Sequence, residues 1–146
     1  MYKHILIPTD GSELSARAIK QGVGFAKEIN AKVTGIYVAP HFFHLVDYYS
    51  DIDAKSIEKY ERAAKEQGQK FIAALENTAK AADVPCEGVI VTGEQPYEAI
   101  IEAAQSKGCD LIFMASHGRR GIKGLVLGSE TLKVLTHCKI PVLVCR

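Results

Sequence analysis

The sequence predicts an α/β protein, a three-layer open twisted sheet of five parallel strands in one domain covering residues 1–146. Three observations predict it. Short, continuous apolar runs recur along the chain. A segment with helical spacing lies between each run and the next. Gly, Pro, Asp and Ser mark most of the joins. Strands that are apolar throughout, joined by helices, describe a parallel sheet covered on both faces with right-handed crossovers.

Residues 4–9 form the first apolar run, bounded by Asp10-Gly11-Ser12. They predict a buried strand. Residues 14–29 follow, with Leu14, Ala18, Ile19, Val23, Ala26 and Ile29 at helical spacing, and Asp10 or Ser12 is placed to cap them. Residues 32–39 are rich in β-branched side chains and stop at Pro40. Residues 40–53 carry Phe42, Phe43, Tyr48 and Tyr49 beside His41 and His44 without a clear period, which predicts a long connection. Residues 54–82 predict a helix about 40 Å long, with Gly68 as its weak point. Strands follow at 86–92, 110–115 and 141–145, with helices at 96–106 and from Ser129 to about Thr136. Pro96 suits a first helical turn.

A chain of 146 residues supports one core, and 47% hydrophobic content with 24% charge is ordinary for a globular protein. A net charge of +1 gives no global attraction for nucleic acid or a membrane surface. No apolar run approaches the roughly 20 residues that span a bilayer. The apolar stretch before Pro8 is too short for a signal peptide, so the expected location is the cytoplasm. Cys86, Cys109, Cys138 and Cys145 form no CxxC pair and no zinc spacing, which predicts free thiols that pack as small hydrophobes.

The chemistry concentrates in residues 115–129. Gly118, Gly121, Gly124 and Gly128 alternate with Arg119, Arg120 and Lys123 before a helix start at Ser129. Glycine lets backbone N–H groups approach a phosphate, and a helix N-terminus favours its charge. The alternative is a surface connection whose glycines serve turns. Asp10, at the end of the first strand, can accept from ribose hydroxyls, help to hold Mg²⁺, or cap a helix. Pro8 and Thr9 line the same end, and Val38 with Ala39 can form an adenine wall. In such sheets ligands bind beyond the carboxyl ends of the strands, where strand order reverses. If the first and fourth strands are neighbours, the two segments meet there.

Other signatures are missing. No GxxxxGK[ST] occurs, and Gly22-Val23-Gly24 lies inside a predicted helix, where it reads as packing. His41 and His44 lack a third metal ligand. His117 has no obvious acid–base partner, and no GxSxG elbow is present.

These residues resemble the universal stress protein family over essentially the whole chain. The resemblance rests on Ile5-Leu6-Ile7-Pro8-Thr9-Asp10-Gly11-Ser12, on residues 110–119, on Leu127-Gly128-Ser129 and on Pro141-Val142-Leu143-Val144. The ATP-binding branch carries Gly-x-x-Gly, nine residues, then Gly-Ser or Gly-Thr. Here Ala115-Ser116-His117-Gly118, nine residues and Gly128-Ser129 take that place, with Ala115 where the branch usually has Gly. The resemblance implies a Rossmann-like sheet of strand order 3-2-1-4-5. It implies ATP contacts at Pro8, Thr9, Asp10, Val38, Met114, Ala115, Gly118, Arg119, Gly128, Ser129 and Glu130, with Mg²⁺ accompanying the phosphates and no catalytic residue assigned. It also implies a homodimer through the last strand, 140–145, and a stress-response role with at most weak ATP hydrolysis.

Two other readings compete. Thr9-Asp10-Gly11-Ser12 faintly resembles the Ser-Gly-Gly loop of ATP pyrophosphatase-type ligases, which would make the chain a slow ATP-cleaving enzyme. A receiver-like signalling domain would need an acid to phosphorylate, and the third strand ends in Val91-Thr92-Gly93.

Overall fold

The structure, a computed structural model, describes residues 1–41, 53–118 and 126–146. The aromatic segment 42–52 and the stretch 119–125, which holds Arg119, Arg120 and Lys123, lie outside the described residues. The elements run β1 (His4–Pro8), α1 (Glu13–Glu28), β2 (Lys32–Pro40), α2 (Ala54–Ala81), β3 (Cys86–Gly93), α3 (Pro96–Ser106), β4 (Leu111–Ala115), α4 (Ser129–His137) and β5 (Val142–Cys145). Predicted boundaries differ from these by one residue at most.

The sheet has five strands in the order β3-β2-β1-β4-β5, and every pairing is parallel. β1 is central. Ile5 pairs with Val33 of β2 on one side and Leu111 of β4 on the other. Ile5, Leu6 and Ile7 are 0% exposed. Alternation along a strand sends them to two faces. Ile5 and Ile7 join Ala18, Val23, Leu75 and Ala79 under α1 and α2, whereas Leu6 joins Ile100, Ala104 and Val134 under α3 and α4. Those are the three layers.

α1 starts where Ser12 Oγ accepts from the Ser15 N–H at 3.1 Å. Of the two candidate caps, Ser12 fills the role, while Asp10 turns its carboxylate onto the Ser12 N–H at 2.9 Å. Gly22 packs against Ile7 and Phe113, so it serves helix–sheet contact as its sequence context indicates. β3 departs from a strand buried on both faces. It is an edge strand, mostly half-buried, with Glu87 and Thr92 exposed. Among the described residues no helix is long and apolar enough to cross a membrane. All four cysteines are free; Cys109 and Cys145 are buried, and Cys86 and Cys138 half-buried. Burial pushes the Cys86 and Cys109 thiols up to about 11, so neither is a ready nucleophile at neutral pH.

α2 has 28 residues and is about 42 Å long. Gly68 is a seat within it, where propensity alone marks a weakness. The Tyr37 ring of β2 occupies the space a Cβ would take. Gly88 of β3 does the same for Ile72, and Gly35 of β2 for Leu75, whose Cδ1 would lie 2.6 Å from an added Cβ. Three small residues thus let a long helix lie close over β2 and β3. Leu75 is 0% exposed and cannot swing away. Gly35→Ala is expected to destabilise the fold by about 1–3 kcal/mol through overpacking, read as a lower urea midpoint at unchanged slope.

Candidate functional site

Strand order reverses at β1 and β4. From β1 the chain crosses to β2 and β3 on one side, whereas β4 and β5 lie on the other. The connections leaving β1 and β4 diverge, which opens a crevice at their carboxyl ends.

β1 supplies Pro8, Thr9 and Asp10. The Thr9 N–H bonds the Ile36 carbonyl at 2.9 Å, which continues the parallel ladder past Pro8. Thr9 Oγ1 lies 3.2 Å from Ser15 Oγ and accepts from the Gly11 N–H at 3.2 Å, so the buried side chain braces the turn. Gly11 has φ +76, and the Phe71 ring of α2 occupies the space a side chain would need. That turn sets the direction of Asp10.

β4 supplies the other wall. The Ser116 N–H bonds the Cys145 carbonyl at 2.8 Å, which carries the sheet one residue beyond Ala115. The chain then turns through His117 to Gly118. Asp10 Oδ2 sits where a Gly118 Cβ would be, so the acid of the first strand and the first motif glycine are in contact. Gly128 returns the chain to the same point. Its N–H donates to the Ser116 carbonyl at 2.8 Å, and an added Cβ would lie 3.2 Å from the His117 Cα. Gly128 is the N-cap of α4 and offers no side-chain cap. The first-turn N–H groups of α4 therefore have the geometry that suits an anion. Ser129 is the exposed first residue of that helix.

The structure brings Asp10, Ala115, Gly118 and Gly128 to one place, and Ser129 follows directly. Val38 lies at the carboxyl end of β2, half-buried, with Cγ1 3.5 Å from the Cβ position of Gly93. The Met114 and Ala115 side chains are buried on opposite faces of the sheet, so each presents backbone to the crevice. Arg119 lies outside the described residues. The Glu130 side chain faces α3. Its Oε2 accepts from the Tyr97 N–H at 2.9 Å at the uncapped start of α3, and its Oε1 pairs with Lys133 Nζ at 3.1 Å. The carboxylate is committed to α3, and near the crevice the residue offers backbone.

Sequence reasoning passed over Thr131 and gave Ser116 no role. Thr131 Oγ1 donates to the Ala115 carbonyl at 3.0 Å, fully buried, and ties α4 to the end of β4. A threonine two residues into a helix carries no pattern that marks this. Ser116 Oγ lies 3.0 Å from His117 Nδ1, and His117 Nε2 is buried with no hydrogen-bond partner among the described residues.

The universal stress protein family model matches residues 1–146, and the chain belongs to that family. It is 34% identical over 147 residues to the universal stress protein MJ0531 of Methanocaldococcus jannaschii, covering 100% of this chain and 83% of that protein. The solved structure of the hypothetical protein MJ0577 superposes with a TM-score of 0.79 at 30% identity, covering 99% of this chain and 95% of that one. A universal stress protein solved in complex with cAMP gives a TM-score of 0.73 at 26% identity, covering 99% and 97%.

Removing the Thr131 hydroxyl leaves a buried carbonyl without its partner. Thr131→Val is expected to cost about 1–3 kcal/mol in urea unfolding, and Thr131→Ser to recover most of it.

Proposed function

We propose that the crevice between β1 and β4 binds an adenine nucleotide, ATP with Mg²⁺, in a cytoplasmic homodimer of the stress response. The observation that carries this reading is the contact of Asp10 with Gly118 at the point where strand order reverses. An acid there suits ribose hydroxyls or a phosphate-bound Mg²⁺, and a motif glycine there gives a phosphate access to backbone. The α4 N-terminus beside it adds positive potential. Val38 supplies apolar surface for a base. Pro8, Thr9, Met114, Ala115, Gly128, Ser129 and Glu130 contribute backbone or near surface, and Arg119 contributes charge. The cAMP complex of a relative supports nucleotide binding as the shared chemistry. ATP acts here as a ligand that favours one conformation or partner, which requires different affinities for two states.

Calorimetric titration with and without Mg²⁺ tests binding; no heat and no thermal shift at millimolar ATP would remove the proposal. Arg119→Ala with Lys123→Ala is expected to weaken ATP about tenfold or more while leaving adenosine nearly unchanged, since charge-assisted hydrogen bonds contribute about 1.5–3 kcal/mol each. Equal weakening of both ligands would mean that the cations do not face the phosphates.

The dimer reading rests on β5. It is a sheet edge, Leu143 on it is 36% exposed, and Leu132 and Leu135 of α4 are 55% and 40% exposed. An apolar edge strand invites pairing with its own copy about a twofold axis. Leu143→Lys is expected to halve the mass measured by sedimentation equilibrium; an unchanged mass would place the interface elsewhere.

A further inference from the structure

An open sheet has two edges, and each offers backbone groups that a further strand can pair with. Here the edges are β3 and β5, and β3 is the longer, at 8 residues against 4. The ladder to β2 fixes which of its groups are free. The Val33 N–H donates to the Pro85 carbonyl at 2.8 Å, and Val33 is in register with Cys86. Pro85 therefore faces β2, and so do Glu87, Val89, Val91 and Gly93. The N–H groups of Cys86, Gly88, Ile90 and Thr92 point outward.

One of those outward donors is already taken. The Gly88 N–H donates to Glu76 Oε1 at 2.9 Å. Glu76 lies on α2 one turn after Ile72, and Ile72 occupies the space that a Gly88 Cβ would need. An added Cβ would also lie 2.8 Å from Glu76 Oε1, so glycine is what lets the carboxylate reach the edge. The same carboxylate, after burial, pushes up the thiol of Cys86, the neighbouring outward residue. Glu87 Oε1 pairs with Lys107 Nζ at 3.0 Å, which adds charge on the other face of the strand. β5 is different. The Pro141 and Cys145 carbonyls accept from Ile112 and Ser116 of the β4 side, so the Val142 and Val144 N–H groups point outward. Among the described residues no side chain accepts from them.

We propose that Glu76 guards the β3 edge against a second copy of this chain, by holding the backbone donor that antiparallel pairing of β3 with its own copy would require. A second copy is the partner to exclude, because the outward row is self-complementary about a twofold axis. An axis at Ile90 sets Gly88 opposite Thr92 of the other copy, and residues opposed in this way exchange both of their backbone bonds. Gly88 cannot enter that exchange while Glu76 holds its N–H. Edge pairing between copies is thereby confined to β5. The guard goes beyond the nucleotide reading and does not depend on it.

Amide hydrogen exchange by NMR and sedimentation equilibrium on the whole chain test the guard. Glu76 is exposed and alanine favours a helix, so Glu76→Ala keeps its fold. At micromolar concentration its Gly88 amide is expected to exchange about tenfold faster than in the native chain, or more. As concentration rises, its mass is expected to climb to about twice the native value, with the Ile90 and Thr92 amides gaining protection. Glu76→Gln keeps an acceptor oxygen and is expected to hold the native mass. Equal Gly88 exchange in the native chain and Glu76→Ala would overturn the proposal. So would a native mass for Glu76→Ala up to millimolar concentration, an equal rise in mass for Glu76→Gln, or a rise that leaves Ile90 and Thr92 unprotected.

Discussion

β1 is hydrogen-bonded along both edges and covered on both faces, and the rest of the molecule follows from satisfying those four contacts. Its backbone groups need β2 and β4 as parallel neighbours. Parallel neighbours require crossovers, and right-handed crossovers that run in opposite directions across the sheet place α1 and α2 on one face and α3 and α4 on the other. The same pairing makes the exits of β1 and β4 diverge. A crevice at that end is therefore a by-product of burying Ile5, Leu6 and Ile7, and needs no separate construction.

The shape of the crevice wall depends on packing some distance away. Gly35, Gly68 and Gly88 let α2 settle close onto β2 and β3. That seating brings Phe71 edge-on to Tyr37, with centroids 5.5 Å apart and planes at 64°, and presses its ring against Gly11. Gly11 is in the left-handed region, where a side chain would be strained even with room for it. The turn from Thr9 to Ser12 is thus fixed from below by Thr9 Oγ1 and from above by an α2 side chain. Asp10 reaches Gly118 because that turn has little freedom, so a substitution in α2 acts on the site through Phe71.

Sheet class, element order and the ends of most elements were legible because apolar runs and helical spacing report burial directly. The contact of Asp10 with Gly118 was legible as a juxtaposition, given that β1 and β4 are neighbours. Other features were not. Gly68 reads as a helix defect when propensity is considered alone, because the tyrosine that uses the gap is 31 positions away in sequence. Ser12 and Asp10 are equally good caps on paper, and the choice depends on the turn after Thr9. His4 reads as one polar residue at the start of an apolar strand. Its partners are Thr34 of β2 and Asp110 in the turn before β4, and no local pattern shows these segments converging. β3 reads as a buried strand until its place at the edge of the sheet is known.

Glu130 shows how strongly context governs the role of a charged residue near an anion site. A carboxylate in the first turn of α4 favours the helix dipole but would repel a phosphate approaching the same N–H groups. Here the side chain turns to the N-terminus of α3, where the Tyr97 N–H has no other cap, and Lys133 neutralises it from one turn further along α4. One residue therefore satisfies an orphan donor on α3 and keeps its charge engaged away from the start of α4. The consequence is electrostatic: the positive end of α4 remains next to Gly118 and Asp10 without a competing carboxylate of its own. Replacing the glutamate with an uncharged residue would leave the α4 amides where they are but uncap α3, so the residue bears on the crevice through the packing of two helices.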